Sequence, residues 1–338
     1  MFYAHTVPEG DAESVFDGRS SILFATIAGV SLGLMTGGQG GPAPGTRWRA
    51  ARIVAIRGAL LIVLGVALTL LDTPIAIILD TYGFLFLVAI PLLVAPRWVL
   101  AVVAAAAAFG GPWLVETLTA AVDTEAALPV SSVANPFLYF PSRWILGTYP
   151  APVWLAYIAL GLLIARCGVD LRRTQLLLLT LGAVVALAGY TTATALGEPV
   201  SAHDDSTFEV ISSGAVAVAV IGLFTALTES TGRRMRTAVT RILQPLWATG
   251  SMPLTVYSAQ IVALWWYVEN YDSEEWLAWQ SVPLFVAFAV TTLVVCSLYR
   301  LVFRQGPLEW LVARISTQRP WRRAPRDRDD ERPVASRS

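Results

Sequence analysis

The sequence contains no lysine, only two cysteines and two histidines, and little charge of either sign: 14% of its 338 residues are charged. A soluble domain carries roughly 25% charged residues, so this chain has too little charge to cover a water-facing surface. Cys167 and Cys296 lie in or at the ends of separate apolar segments. They read as small buried hydrophobes, not as a disulfide or a metal site. Cys/His metal spacing, a Gly-rich phosphate loop and a dinucleotide fingerprint are all missing, which argues against a metal or a cofactor held by a known soluble motif. Formal net charge is zero, and the arginines read as an orientation signal, not a nucleic-acid patch.

What the chain has in abundance is apolar length. Hydrophobic residues make up 55% of it and the mean hydropathy is +0.60. Runs of about 20 residues recur, each long enough to cross a hydrocarbon core of roughly 30 Å. Nine helical spans are predicted, at residues 20–36, 53–71, 75–95, 98–119, 152–167, 174–196, 208–228, 247–268 and 281–303. Lipid leaves exposed backbone groups unsatisfied, and a barrel would show short alternating segments, so the expected class is an all-α polytopic transmembrane bundle. GGQGGPAPGT (37–46), DTP (72–74) and ANPFLYFPSR (134–143) supply turn chemistry between spans. Residues 1–317 are expected to form one transmembrane domain, followed by a disordered tail over 318–338.

Alternate connectors differ in arginine. Arg47, Arg49, Arg52, Arg97, Arg166, Arg172, Arg173, Arg233, Arg234, Arg236, Arg241, Arg300 and Arg304 fall on one side, and only Arg19 and Arg143 on the other. The positive-inside rule makes the arginine-rich side and the C-terminus cytoplasmic. MFYAHT (1–6) then lies outside, and reads as the outer end of a truncated N-terminal span or as a short external leader.

Ionisable groups in spans are costly and mark candidate sites. His5, Asp17, Arg19, Asp80, His203, Asp204, Asp205 and Glu209 all map to the outer ends of spans. Histidine suits proton transfer near neutral pH, so His5 is a candidate general base; the alternative is an interfacial histidine bonded to a neighbouring helix. Asp80, in IAIILDTYGFLFL, is buried by about 9 Å if its helix starts at Pro74 and then needs a partner, whereas a start near Tyr82 makes it an interfacial N-cap. Asp17 is either a site carboxylate or a helix cap. His203, in SAHDDSTFE (201–209), can orient an acceptor, or belong to a solvated loop whose Asp205 or Ser206 caps the next helix. Arg57 lies about 6 Å inside its span and either snorkels or meets an anionic group of a donor. Tyr257 and Gln260, three apart, share a helix face near Thr255, and Pro253 is expected to kink that helix.

In order along the chain, FDGRSSILFATIAGVSLGL, RGALLIVLGVALTLLD, IILDTYGFLFLVAIPLL, GTYPAPVWLAYIALGLLIAR, SAHDDSTFE, GSMPLTVYSAQI and GPLEWLVARIS resemble the YeiB-type bacterial membrane family, a domain of unknown function. That family is similar to heparan-α-glucosaminide N-acetyltransferase and other transmembrane acyltransferases. The resemblance implies a first span that opens on an Asp-Xaa-Xaa-Arg-Gly-type stretch and ends in a segment like MFYAHT. It implies a recurring outer-end histidine at His5 and a loop histidine at His203. Gln260 departs from it, since relatives often carry histidine there.

The leading expectation is a plasma-membrane acyltransferase that passes an acyl group from cytosolic acyl-CoA to a sugar or other envelope acceptor outside. His5, Asp17, Asp80 and His203 would be catalytic, and Arg19, Arg57, Tyr257 and Gln260 would bind substrate or donor. The expected partners are the bilayer, acyl-CoA and the acceptor, with self-association open and no nucleic acid or metal. The alternatives are a transporter or flippase for a small solute or lipid, or a membrane protein without chemistry.

Overall fold

The structure is a computed structural model that describes residues 2–8, 18–121, 136–198, 200–201, 203–229, 241–271 and 279–317. Asp17 and the tail after Thr317 therefore lie outside the described residues. Among the described residues there is no β-strand, and the elements are helices: α1 (Phe2–Thr6), α2 (Arg19–Met35), α3 (Arg47–Thr69), α4 (Leu79–Val88), α5 (Arg97–Ala121), α6 (Pro136–Leu146), α7 (Ala151–Cys167), α8 (Arg172–Leu196), α9 (Thr207–Glu229), α10 (Gln244–Gly250), α11 (Pro253–Glu269), α12 (Val282–Val302) and α13 (Pro307–Thr317).

Each of the nine expected spans coincides with helix, but the helices differ in reach. Among the described residues five are long and apolar enough to cross a membrane, namely Pro44–Thr69, Arg97–Ala121, Arg172–Leu196, Thr207–Thr228 and Val282–Val302; Tyr139–Leu146 and Ala151–Cys167, bent by 65°, make a sixth if taken as one span. The shortfall has local causes. The expected span 75–95 is interrupted: α4 has 10 residues, and a short 3-10 turn at Pro91–Val94 follows it. Proline lacks the N–H a helix interior needs, so the helix stops before Pro91. Pro253, expected to kink its span, starts α11 after a break that separates it from α10.

At the centre stands α7, buried along most of its length from Ala151 to Arg166. It packs against α2 and α5, while α3 pairs with α4 and α8 with α9. Small residues set these spacings, as expected where lipid gives helices no hydrophobic reason to associate. A Cβ on Gly161 would stand 2.1 Å from the carbonyl oxygen of Thr26, so α2 and α7 touch backbone to backbone. In contrast, α12 leaves Val286, Val290, Val294 and Leu298 exposed, an apolar face suited to lipid.

Up-and-down connectivity gives the bundle two ends. One gathers the starts of α2, α4, α7 and α9 with the end of α3, and carries Asp80, His203, Asp204, Asp205 and Glu209. The other gathers the ends of α2 and α7 with the starts of α3, α5 and α8, and carries arginine.

Candidate functional site

At the acidic end the chain between α3 and α4 descends beside α3 before turning helical. A Cβ on Gly65 would meet the backbone nitrogen of Asp80 at 2.3 Å, so Asp80 lies level with Gly65, about 6 Å below the end of α3 at Thr69. The helix starts at Leu79, between the two starts weighed from sequence, and Asp80 is both in its first turn and 0% exposed. Buried carboxylates need partners. Trp144 Nε1 donates to Oδ2 at 2.9 Å, and Arg143 stands 3.7 Å from Oδ1 as its ion pair. Arg143 also donates to Thr69 Oγ1 at 3.0 Å and to the carbonyl of Ile77. Both partners come from α6, which sequence reasoning read only as loop. The remaining Oδ1 accepts no hydrogen bond among the described residues.

The connector from α8 to α9 is folded around one carboxylate. Glu209 Oε1 accepts from the backbone N–H of His203 at 2.9 Å and Oε2 from that of Asp205 at 2.7 Å. These bonds hold His203 and Asp205 at φ 62° and 53°, the left-handed region. Ser206 Oγ accepts from the Glu209 N–H at 3.1 Å, so of the two caps considered for α9 it is Ser206 that fills the role. Asp205 instead turns inward and accepts from Trp154 Nε1 at 3.2 Å. Burial, then the adjacent Glu209 carboxylate, pushes the Asp205 carboxyl up to about 7; the Trp154 bond opposes this and Asp204 adds to it.

His203 rests on aromatic rings. Its ring is edge-on to Tyr149 at 5.2 Å and lies 19° from parallel to Trp154 at 6.4 Å. Tyr149, Trp154 and Tyr157 form a continuous set of edge-to-face contacts at the start of α7.

His5 reaches the same end from α1, which α12 holds through Phe2 on Phe288 and Tyr3 on Phe285. Gln260 Nε2 lies 3.1 Å from His5 Nδ1. In that orientation Nδ1 accepts and the ring proton sits on Nε2. Gln260 Oε1, buried without a hydrogen bond among the described residues, loses nothing if the amide turns over, accepts from Nδ1–H and leaves Nε2 basic. One turn back along α11, Tyr257 accepts from the N–H of Ile78 at 3.3 Å. Through Gln260 and Tyr257, α11 thus holds both His5 and the backbone two residues before Asp80.

Asp80 and His5, both expected to be catalytic, do not meet each other: Asp80 is held by Arg143 and Trp144, and His5 meets Gln260. Arg19 donates from Nε to Tyr190 Oη at 2.8 Å. Arg57 stands at the other end, where Nε reaches Ser316 Oγ of α13 at 3.4 Å. Thr255 is engaged by Glu309, whose carboxylate also accepts from the N–H groups of Leu254 and Thr255 and so closes the start of α11. Arg143, Trp144, Tyr149 and Trp154 are the residues sequence reasoning missed. The signal for the first two is the aromatic stretch FLYFPSRW (137–144), and for the other two GTYPAPVW (147–154). Among the described residues no three His, Cys, Asp or Glu side chains converge as a metal site, and both cysteines are free.

Residues 168–318 match the family described as "Protein of unknown function (DUF418)". The matched stretch is a little less than half of the chain. It runs from α8 to α13 and is consistent with the YeiB-type resemblance; it supplies His203, Asp205, Tyr257 and Gln260, while His5, Asp80 and Arg143 precede it. No curated protein and no solved structure matches the chain.

Proposed function

We propose that the protein is an integral-membrane acyltransferase of the plasma membrane, with nine spans, a cytoplasmic C-terminus and its acidic end outside. It carries an acyl group from cytosolic acyl-CoA to a sugar or other envelope acceptor. The observation that carries this reading is the convergence at one end of the bundle of His5 on Gln260, the Asp80–Arg143 pair and the His203–Asp205–Glu209 loop on an aromatic floor. Buried ionisable groups so concentrated mark functional sites more often than structural ones.

In the proposed step the acceptor's O–H or N–H is attacked by His5 Nε2 as its oxygen or nitrogen bonds the thioester carbonyl carbon. The C–S bond breaks, and the proton taken by His5 passes to the departing sulfur, giving free thiol. This role uses the turned Gln260 amide, which holds Nδ1–H and frees Nε2. His203 and Asp205 lie beside the aromatic rings, a surface on which a sugar ring can stack, and position the acceptor. Arg143 and Asp80 are positioning residues that fix α4 and α6 around the site.

The test is product formation from labelled acetyl-CoA and envelope extract by the purified full chain in proteoliposomes. His5→Ala is expected to lower turnover by about 100-fold to 10,000-fold, with insertion unchanged. Gln260→Glu, whose carboxylate accepts from Nδ1–H, should keep turnover and shift its pH profile. An active His5→Ala protein with the wild-type pH profile would refute the histidine mechanism, and absence of any labelled product would refute the acyltransferase reading.

A further inference from the structure

The arginine end holds a cavity of about 590 Å³ between the 37–43 connector and the start of α5. Its lining includes Gln39, Gly41, Arg47, Arg97, Trp98 and Arg166. The connector is shaped by glycine: Gly37 and Gly41 stand at φ 107° and 65°, and a Cβ on Gly37 would meet the Gly41 carbonyl oxygen at 2.2 Å.

Arg166 is 3% exposed, and its two terminal nitrogens donate to uncharged acceptors: Gly33 O at 2.9 Å, Gly38 O at 2.5 Å, Thr36 Oγ1 at 3.1 Å and Leu93 O at 2.9 Å. Buried charges are ordinarily paired with an opposite charge. Among the described residues no carboxylate pairs with Arg166, Arg47 or Arg97, since the only ion pair there is Arg143–Asp80 at the far end. Asp170, an acid at this end, accepts from Gln39 of the cavity wall at 3.4 Å. Two helices also begin at this cavity, α3 at Arg47 and α5 at Arg97, and present the positive ends of their dipoles. Three cations, two helix starts and Trp98, which is 69% exposed, therefore face one space.

We propose that this cavity binds a phosphate- or pyrophosphate-bearing ligand, with Arg47 and Arg97 as its mobile clamps and Arg166 as a fixed charge behind them. Guanidinium forks suit phosphate oxygens, which can accept two bonds from each arginine. The ligand is either a soluble phosphorylated molecule or the headgroup of an anionic lipid. The inference does not rest on the acyl-transfer reading, although the donor named there carries such a group.

The full chain is reconstituted in nanodiscs, and labelled pyrophosphate and ADP are titrated in phosphatidylcholine. In a second arm, lipid retained by the protein from a phosphatidylcholine–phosphatidylglycerol mixture is measured. Arg47→Gln/Arg97→Gln is the decisive variant, because both side chains are exposed and leave the fold intact. It is expected to weaken binding at least about 10-fold in one arm. Loss in the first arm identifies a soluble ligand, and loss of retained phosphatidylglycerol in the second identifies a headgroup. Arg49→Gln, two residues on and outside the cavity lining, should change neither. The proposal is overturned if the double variant matches wild type in both arms, or if Arg49→Gln loses as much, which would reduce the effect to general surface charge.

Discussion

The two ends of α7 hold buried charge in opposite ways. At one, Trp154 belongs to an aromatic set around Asp205, close to an Asp80 whose Oδ1 is left with only a 3.7 Å ion pair. At the other, twelve residues on and about 18 Å along the axis, Arg166 spends its donors on four acceptors. A cation so bonded builds the fold, since its bonds join α7 to the ends of α2 and the turn after α4. An incompletely satisfied anion keeps bonding capacity for something else. The difference teaches where chemistry and where architecture reside in one helix, and it can be broken by substitution.

The largest effect is expected at Asp80. Arg143→Met leaves an ionised carboxylate buried against Trp144, which costs about 3–5 kcal/mol. Thermal unfolding in detergent should show the loss, and adding Asp80→Asn should restore most of it, because the pair and not either residue is needed. If Arg143→Met melts as wild type does, the ion pair is not what holds α4 to α6.

Arg166→Met comes next, at about 2–3 kcal/mol. It frees neutral carbonyls beside a cavity that water can enter, so the penalty is smaller than for a stranded charge. No single second substitution should rescue it, because the four acceptors lie on three separate segments. Rescue by one partner mutation would make Arg166 an ordinary paired charge and remove the contrast. A third change probes the helix contact that keeps the two ends in register. Gly161→Ala sets a methyl 2.1 Å from the Thr26 carbonyl, and should cost about 1–3 kcal/mol as α2 and α7 separate. An unchanged melting temperature would show that this spacing is not fixed.

Sequence alone made the helical class and the positions of the helices legible, because apolar runs and turn residues are local signals. It overstated their reach at residues 75–95 and 247–268, where proline cut helices that hydropathy joins. The ionisable residues were legible as a set on one end for the same reason that arginine was legible on the other. Their pairings were not. Arg143 reads as an external loop arginine until α6 folds back over α4, and Gln260 reads as a departure from relatives until His5 is found against it. Such contacts span 63 and 255 residues of chain, and no local pattern encodes them.

The smallest expected effect is a pH dependence at the acidic end. Asp205 is raised from an ordinary 3.8 to about 7 by burial and by Glu209. Between about pH 4 and pH 7 the unfolded chain therefore gives up a proton that the folded chain keeps. Folding stability is then fully present below about pH 4, falls through that window and levels off above about pH 7, by on the order of 1 kcal/mol because water reaches part of the carboxyl. The melting temperature should accordingly be lower at pH 8 than at pH 5, and Asp205→Asn should reduce the difference. Arg166→Met should leave the slope as it is, since no titrating acid faces that guanidinium among the described residues. A slope that survives Asp205→Asn combined with Glu209→Gln, or one that Arg166→Met abolishes, would place the titrating group outside the acidic end and undo the contrast between the two ends of α7.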